Sequence, residues 1–412
     1  MAHGKDPLRA ADVRERNEKI VLRLIHTEGE RGLSQSEAVI ATGLKAPTIF
    51  RIFSSLEAAG FIELLPPPPP GPALVTASAA AGLHAKLERK GRRPSAYIAR
   101  RSALSLIGVE FWAERVSIGV FDFQNGELYS KVLPLARGMD AEGVCALIGD
   151  LVDAAIAELR LDRAKVLGLG LGAPGQVNVR TRTVSFYSRI PGLVDFPIAS
   201  RLDERLGLPV TIHNNCSVIA LSEFRYGGLG ASGSMFMFLL RSGVNGAFVD
   251  SGRIYLTSEG TTIETGHIPV AVDGAACSCG ARGCLEAYIT ALDKKNLDEG
   301  GLLFESLGPD LAPGQGLELG QRRAEAEAVL GEAATYLAQA VRTACRLFSP
   351  HSFLFVAASV TVAQALARLV RERVDSEVSG FDRVCPEFHA RAYDPILAQR
   401  GAAALVLDAF LG

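Results

Sequence analysis

The sequence lacks any apolar segment long enough to cross a membrane, although 48% of its 412 residues are hydrophobic. Its apolar runs are short, as in residues 166–171, whereas a spanning helix needs about 20 consecutive apolar residues. The charged N-terminus also lacks the apolar core of a signal peptide. These absences argue against an integral membrane protein, and we expect a cytoplasmic protein with no membrane partner.

The chain also carries little net charge, −2 in total, but its charges are unevenly distributed. Residues 1–105 contain 16 Lys and Arg against 10 Asp and Glu, a balance of +6, which leaves −8 for the remainder. A basic module on an acidic body is typical of a nucleic-acid-binding domain attached to a ligand-binding domain. The alternative interpretation of this charge difference is a random distribution of surface charge. The length favours two or three domains.

Three of the seven cysteines lie within eight residues, at Cys277, Cys279 and Cys284. Scattered core cysteines rarely cluster in this way, and the reducing cytoplasm disfavours disulfides. Together with His267 they form a complete Cys₃His set, which fills the tetrahedral shell of Zn²⁺ and leaves no open position. We therefore predict a structural zinc site. The remaining cysteines are predicted to be small core residues: Cys145, Cys216, Cys345 and Cys385.

Hydrophobic spacing in the first hundred residues predicts three helices, near residues 13–27, 34–41 and 46–59. Ser34 and Glu37 form a capping box, and a glycine-containing turn joins the last two helices. This arrangement is typical of a helix-turn-helix, whose last helix enters the major groove of DNA. A bare protein-interaction module is the alternative. The predicted DNA-contacting side chains of the last helix are Lys45, Pro47, Thr48, Phe50 and Arg51.

Residues 61–65 predict the first strand of a wing, after which five consecutive prolines impose an extended segment. Arg92 and Arg93 follow in a basic stretch. They are predicted either to contact phosphate or the minor groove, or to belong to a solvated linker. Residues 10–100 thus predict a winged helix-turn-helix DNA-binding domain, with an atypical insertion at 66–90.

From residue 106 the pattern changes to apolar strands that alternate with amphipathic helices, which predicts an α/β body. Residues 106–110 and 116–122 predict two strands, and Asn125-Gly126 predicts a hairpin turn after them. A helix over residues 145–159 and a buried strand over 166–171 follow.

Two neighbouring motifs resemble the signatures of the ROK family (repressors, open reading frames, kinases). The segment from Glu264 to His267 resembles its E-x-G-H motif, and the segment from Cys277 to Glu286 resembles its C-x-C-G-x-x-G-C-L-E signature. Residues 34–60 also resemble the helix-turn-helix of the family's repressors. The resemblance implies a two-lobed actin-like (ribonuclease H-like) sugar-kinase fold, with lobes over residues 106–225 and 226–412.

The resemblance also implies a sugar pocket between the lobes. Asn215 and Arg189 stand at two further positions near the sugar in the family. Asn215 keeps an amide that can bind a hydroxyl. We hypothesise that Arg189 pairs with a carboxylate or phosphate of the effector, with a solvent-facing side chain as the alternative. The residues that correspond to the family's sugar-hydroxyl ligands are Asn214, Glu264, His267 and Glu286.

The family's kinase motifs are absent from this sequence. Its D-x-G-G-T turn, G-T-G-x-G cradle and late G-G turn correspond to residues 110–114, 241–245 and 357–359, which do not keep those glycine patterns. The family's catalytic aspartate corresponds to Asn215, and an amide cannot accept a proton at neutral pH. The four departures together imply that the chain neither binds ATP in the family manner nor transfers phosphate.

We therefore expect a sugar-responsive transcriptional regulator, in particular a repressor of genes for carbohydrate uptake or catabolism. It would bind operator DNA and a saccharide or sugar derivative as a homodimer or homotetramer, with the amphipathic residues 325–347 as a candidate dimer face. An active ATP-dependent sugar kinase with a fused DNA-binding domain is the alternative. A zinc-stabilised protein-interaction module is a third hypothesis.

Overall fold

The computed structural model describes residues 10–66, 95–230, 233–241, 243–290, 316–375 and 386–412. Arg92, Arg93 and nearly all of the predicted insertion lie outside the described residues. The chain divides into two units. One contains the N-terminal residues up to Ser105, the segment Asp122–Gly126 and the last residues Asp408–Gly412, and the other contains Leu106–Phe121 and Glu127–Leu407.

The N-terminal unit contains three helices and a small antiparallel sheet. These are α1 (Ala10–Glu28), α2 (Gln35–Thr42), α3 (Ala46–Ala58), β1 (Leu33–Ser34), β2 (Ile62–Leu64) and β3 (Ala96–Ala99), with strand order β1-β3-β2. Both bonds of the predicted capping box form, since Glu37 N–H donates to Ser34 Oγ and Ser34 N–H donates to the Glu37 carboxylate. Gly43 ends α2 with a left-handed φ of 68°. The helix-turn-helix arrangement therefore agrees with the prediction from the sequence.

The core of this unit lies between α1, α3 and the sheet. Ile49, Ile52 and Phe53 of α3 are buried, and the Phe53 ring meets Tyr97 of β3 edge-on. Two segments from later in the chain, Asp122–Gly126 and Asp408–Gly412, complete this core. Their residues Phe123 and Phe410 pack with Phe61, at distances of about 6 Å between ring centroids. Apolar burial of this kind supplies most of the stability of so small a unit.

Two five-stranded sheets form the framework of the second unit, and their strand orders are equivalent. In each sheet the first strand along the chain lies at the centre, with the second and third on one side and the fourth and fifth on the other. The first sheet contains β4 (Ser105–Trp112), β5 (Arg115–Asp122), β6 (Glu127–Pro134), β7 (Val166–Ala173) and β11 (Val210–Asn214). The second contains β12 (Ser234–Arg241), β13 (Gly243–Asp250), β14 (Arg253–Ile254), β15 (Ser352–Ala357) and β16 (Glu387–Ala392). A small sheet follows β7 and contains β8 (Gln176–Asn178), β9 (Thr183–Phe186) and β10 (Val194–Phe196).

Helices arrange these sheets into layers. They are α4 (Ala141–Glu158), α5 (Ile198–Leu206), α6 (Asn215–Tyr226), α7 (Gly316–Phe348), α8 (Val360–Asp375) and α9 (Pro395–Leu411). The first core contains side chains of the first sheet, α4 and α5, and the second contains side chains of the second sheet, α7 and α8. A third core joins α6 and α9 to strands of the second sheet. Apolar faces of both sheets are thus covered by helices, as α/β architecture requires.

Helix α9 packs closely on the first sheet, although the sequence placed its residues in the second lobe. A Cβ atom on Gly108 of β4 would lie 1.8 Å from the Gln399 carbonyl oxygen, and one on Gly170 of β7 would lie 1.8 Å from the Ala402 carbonyl oxygen. Only glycine permits this approach of helix backbone to strand backbone. The last helix therefore packs against strands of the first sheet as well as of the second, and the lobe boundaries of 106–225 and 226–412 stay a prediction.

Three smaller expectations can be compared with the structure. The predicted hairpin turn forms between β5 and β6, with Asn125 at a φ of 65°. Helix α4 begins at Ala141, four residues before the predicted start, because the Asp140 carboxylate caps it by accepting from Gly143 N–H. Many apolar side chains of α7 belong to the second core, and the dimer face at residues 325–347 stays a prediction. Of the helices described, none is both long and apolar enough to span a bilayer.

We predict that His26 makes the N-terminal unit less stable in acid. Burial against Phe123 lowers the pKa of His26 from 6.5 to about 4. Between these values the unfolded chain binds a proton that the folded chain does not, so stability is complete above pH 6.5 and falls as the pH decreases towards 4. The loss is at most ~3 kcal/mol. Hydrogen exchange of residues 10–66 at pH 7 and pH 4.5 measures it, and a His26→Gln variant should show a smaller pH dependence. Equal pH dependence in both proteins would contradict the prediction.

Candidate functional site: a thiol cluster beside a polar cavity

The predicted metal ligands come together in the second lobe. The ligand atoms of His267, Cys277, Cys279 and Cys284 all lie within 4.8 Å of one another. The distance between Cys279 Sγ and Cys284 Sγ is 3.8 Å, and that between Cys277 Sγ and His267 Nδ1 is 3.6 Å. A tetrahedral ion with the usual zinc bond lengths would separate two sulfurs by about 3.8 Å and a sulfur from a nitrogen by about 3.6 Å. The four residues could therefore hold a metal ion.

Backbone hydrogen bonds and two glycines shape the loop that carries the thiols. Cys277 N–H donates to Ala281 O at 2.9 Å, and Gly280 N–H donates to Cys277 O at 3.0 Å. Gly280 and Gly283 have φ values of 89° and 76°, which favour glycine. A Cβ atom on Gly283 would also lie 1.8 Å from the Ala271 carbonyl oxygen. The bend that the sequence placed at these glycines is therefore present.

His267 connects the thiol cluster to a cavity. Its Nδ1 faces Cys277, and its Nε2 lies 3.5 Å from the Glu286 carboxylate. A carboxylate on the second nitrogen is the usual support for a metal-binding histidine, because it fixes the ring orientation. Glu286 also lines the cavity, so one carboxylate faces both sites.

The cavity has a volume of about 250 Å³ and lies between residues of the two lobes. Burial raises the pKa of the Glu264 carboxyl to about 7, with a smaller contribution from the Glu286 charge. Near neutral pH Glu264 can therefore donate as well as accept a hydrogen bond. The polar and aromatic residues that line the cavity include Trp112, Tyr187, Arg189, Asn215, Arg241, Asn245, Glu264, His267 and Glu286.

Most of the predicted sugar-binding residues line this cavity, but Asn214 is not among them. Asn214 is 1% exposed, and its amide is used inside the protein. Its Oδ1 caps α6 by accepting from Cys216 N–H, and its Nδ2 donates to Gly175 O at 2.7 Å. Asn215, the first residue of α6, does line the cavity. The geometry thus gives Asn214 the role of positioning the helix that presents Asn215.

A buried ion pair crosses between the lobes beside the cavity. Glu110 of β4 is fully buried, and Arg241 Nη2 of β12 donates to it at 3.1 Å. The Tyr393 hydroxyl also donates to Glu110. The Arg241 guanidinium lies 4.3 Å from the Trp112 ring centroid and 4.5 Å from that of Tyr393. Burial acts to lower the pKa of Arg241, but Glu110 and Tyr393 together outweigh it through their charges and hydrogen bonds, so that pKa is raised and the guanidinium stays charged. Burial raises the pKa of the Glu110 carboxyl, and the Arg241 charge opposes this shift.

Arg189 also lines the cavity, and it already has a partner within the chain. Its guanidinium forms an ion pair with Glu114, in the turn between β4 and β5. The two side chains are 44% and 46% exposed, and ion pairs so exposed to water contribute little to stability. The two alternatives for Arg189 were a bond to an anionic group of the effector and a solvent-facing side chain. Neither describes the side chain fully, since it lines the cavity and is also paired with an acidic residue of its own chain.

The outward face of α3 carries the side chains predicted to contact DNA. Lys45, Pro47, Phe50 and Arg51 are exposed, and Thr48 is half-buried. Phe50 is 60% exposed, which is unusual for so large an apolar side chain. The opposite face contains Ile49, Ile52, Phe53 and Leu56, which are buried. The helix therefore presents a mixed basic and apolar surface to solvent.

Three residues of the site were missed as functional candidates in the sequence: Trp112, Arg241 and Tyr393. Trp112 and Arg241 had been noted only as departures from two family motifs. The available signal was complementarity of charge, because Glu110 keeps the acid that begins the first motif and Arg241 replaces the first glycine of the other. Nothing in the sequence indicated Tyr393, which follows β16.

The family model described as "ROK family" matches residues 106–409 of this chain. The chain belongs to the ROK family. A structure described as a ROK family transcriptional regulator and homolog of the E. coli MLC protein superposes with a TM-score of 0.72 and covers 97% of this chain and 99% of its own, at 18% identity. The two-lobed actin-like fold of this family is therefore present, with the helical N-terminal region in front of it.

Among curated relatives are both kinases and repressors. A glucokinase of Streptomyces coelicolor is 28% identical over 182 residues, which are 44% of this chain and 55% of the relative. A xylose repressor of Caldicellulosiruptor bescii is 24% identical over 198 residues, which are 48% of this chain and 49% of the relative. The match covers about half the length of each relative, so it does not decide between their activities.

We predict that a Cys284→Ser variant loses bound metal. Replacing one of four ligands should weaken metal binding by more than about 100-fold, since even outer partners of ligands are worth 10- to 100-fold. Elemental analysis of the purified full-length protein measures metal per chain, and thermal unfolding measures the accompanying loss of stability. Cys345→Ser, on α7, is the matched control and should retain the wild-type metal content. Equal metal content in the two variants would contradict the assignment.

Proposed function

We propose that this ROK protein is a sugar-responsive DNA-binding regulator of transcription, and in particular a repressor, whose body senses a saccharide without phosphorylating it. The observation that carries the proposal is the buried Glu110–Arg241 pair. Glu110 stands where the family's D-x-G-G-T turn begins with an aspartate, and Arg241 replaces the first glycine of the G-T-G-x-G cradle. The basic N-terminal helix-turn-helix and the repressors among the relatives support the same function.

In the proposed mechanism α3 enters the major groove of operator DNA. A helix of this length reads few base pairs, so two copies on a symmetric operator are needed for specificity. A homodimer or homotetramer is therefore part of the proposal. The chain passes between the two units at four places, after residues 105, 121, 126 and 407. Effector binding that changes the closure of the lobes would thereby alter the spacing of two heads and shift operator affinity.

The cavity is proposed to bind the effector through Asn215, Glu264, His267 and Glu286. Carboxylates and amides suit sugar hydroxyls, because each can pair with more than one donor or acceptor. We further propose that the ion held by His267, Cys277, Cys279 and Cys284 is a structural Zn²⁺. Three thiolates and an imidazole suit zinc and would leave no position for a substrate. The ion would supply no chemistry beyond fixing the loop and the orientation of His267.

We predict that Arg51→Ala lowers affinity for the DNA upstream of the protein's own gene. Loss of one base or phosphate contact should reduce the affinity by about tenfold. It should also lower the slope of log affinity against log salt concentration by about one, because about one fewer counterion is released on binding. Fluorescence anisotropy with the full-length protein at several salt concentrations measures both effects. Lys131→Ala, which removes an exposed lysine of β6, should bind as the wild type does.

Two outcomes would contradict the proposal that this protein binds DNA through α3. One is failure of the full-length protein to bind this DNA, and the other is an unchanged affinity of the Arg51→Ala variant. The zinc-stabilised protein-interaction module would then be the better hypothesis.

The second candidate is an active sugar kinase with a fused DNA-binding domain, which the glucokinases among the relatives favour. We predict no ATP turnover by the wild type with any sugar, and none by an Asn215→Asp variant. The variant restores the family's catalytic carboxylate but leaves the Glu110–Arg241 pair in place. A coupled assay for ADP release over a panel of hexoses, pentoses and amino sugars tests this, with a ROK glucokinase as positive control. Sustained turnover by the wild type would establish the kinase instead.

A further inference from the structure

One aromatic side chain of the cavity wall is open to water. Phe186 lines the cavity and is 51% exposed. Of the phenylalanines that the structure describes, only Phe50, on the outward face of α3, is also exposed. Single exposed apolar side chains are common on protein surfaces, so the exposure of Phe186 gains meaning only from its neighbours.

Phe186 belongs to a row of three side chains that crosses the small sheet. It lies opposite Gln176 of β8 on one side and opposite Val194 of β10 on the other. Directly paired residues of neighbouring antiparallel strands project from the same face of a sheet. Gln176 and Phe186 line the cavity, whereas Val194 is not among its lining residues and is 53% exposed. This row, the rim row, therefore leads from the cavity wall out to the surface.

The backbone holds the rim row in place. β9 is the central strand of the small sheet, so Phe186 is fixed by strands on both sides. A Cβ atom on Gly175 would lie 2.2 Å from the Phe186 carbonyl oxygen, and the φ of 71° at Gly175 also favours glycine. A surface that is already ordered loses little entropy when a ligand covers it.

The polar side chains proposed to bind sugar hydroxyls lie on other elements. Asn215 begins α6, and Glu264, His267 and Glu286 all follow β14 along the chain. The rim row has different chemistry, since it offers one amide, one aromatic ring and one aliphatic side chain. These groups suit a ring with an apolar face, because such a face covers apolar side chains and removes them from water.

We propose that the effector is a glycoside with two rings, and that the rim row binds the second ring while the polar residues of the cavity hold the first. This inference rests on the proposed function, because it assumes that the cavity takes a sugar. The second ring is either another sugar or an aromatic group, since both present an apolar face to Phe186. The rim row fits this occupant because it is continuous with the cavity wall.

Two other occupants of the rim row would give different results. If the facing wall of the cavity covered Phe186 when the lobes close, the loss of its ring would weaken the binding of every sugar equally. If a second protein chain covered Phe186, the loss of its ring would leave the binding of every sugar unchanged.

Matched sets of ligands separate these cases. Each set contains a sugar, its methyl glycoside, its phenyl glycoside and a disaccharide of the same sugar, in both anomeric forms. Suitable sets are built on glucose, xylose and N-acetylglucosamine. The methyl glycoside is the reference, because it has the glycosidic oxygen without a second ring. The phenyl glycoside and the disaccharide distinguish an aromatic second ring from a sugar.

Isothermal titration of the full-length protein gives the affinities, and thermal shift confirms binding to the native state. In at least one set, we expect a two-ring member to bind at least tenfold more tightly than the methyl glycoside, since covering about 60 Å² of apolar surface corresponds to about tenfold in affinity. Methyl glycosides that bind as tightly as the two-ring members of every set would overturn the inference and leave the proposed sugar sensor intact. Absence of binding by every sugar would overturn both.

Variants assign the preference for two rings to Phe186. Phe186→Ala should reduce the ratio of the two affinities to about one, whereas Phe186→Tyr keeps an aromatic ring and should keep the ratio. Leu128→Ala is the matched control, because Leu128 is an exposed apolar residue of β6 and is not among the residues that line the cavity. An unchanged ratio in Phe186→Ala, an equal loss of affinity for both ligands in that variant, or a lost ratio in Leu128→Ala would contradict the assignment.

Discussion

The buried ion pair between Glu110 and Arg241 is the interaction on which the properties of the body depend. Glu110 is fully buried at the centre of the first sheet, and Arg241 ends the central strand of the second. Such a pair is stable only when further hydrogen bonds and contacts compensate the loss of water, because desolvation of two ions costs several kcal/mol each. The Tyr393 hydroxyl and the rings of Trp112 and Tyr393 provide that compensation. Removing either charge alone would leave the other buried without a counterion.

The two partners stand at the first positions of two segments that correspond to family motifs. Glu110 keeps an acid where the family's D-x-G-G-T turn begins, and Arg241 replaces the first glycine of its G-T-G-x-G cradle. Together the two side chains neutralise each other, and Arg241 Nη1 is buried without a hydrogen-bond partner among the described residues. The cavity wall therefore carries a guanidinium, already paired with Glu110, where the family's cradle begins with glycine.

Much of the fold and part of the site could be predicted from the sequence, for identifiable reasons. The capping box at Ser34, the Cys₃His set and the hairpin at Asn125 depend on local chemistry, which a single sequence displays directly. The packing of α9 on the first sheet could not be predicted, because it depends on glycines about 290 and 230 residues away, at Gly108 and Gly170. The roles of Asn214 and Arg241 were missed for the same reason. Which amide faces the cavity, and which arginine meets a buried acid, is decided by tertiary contacts.

In the proposed function, a body that does not transfer phosphate senses its effector differently from a kinase. A kinase converts its sugar and releases a product, so its occupancy depends on turnover as well as on concentration. A body that binds without reacting has an occupancy set only by the free effector concentration and its affinity, and the shift in its conformational equilibrium follows from these two quantities. His267 is suited to such a role because the thiol cluster fixes one ring nitrogen and Glu286 faces the other. Rigid positioning of this kind reduces the entropy lost on binding, which in the proposed function would strengthen effector binding without any chemical step.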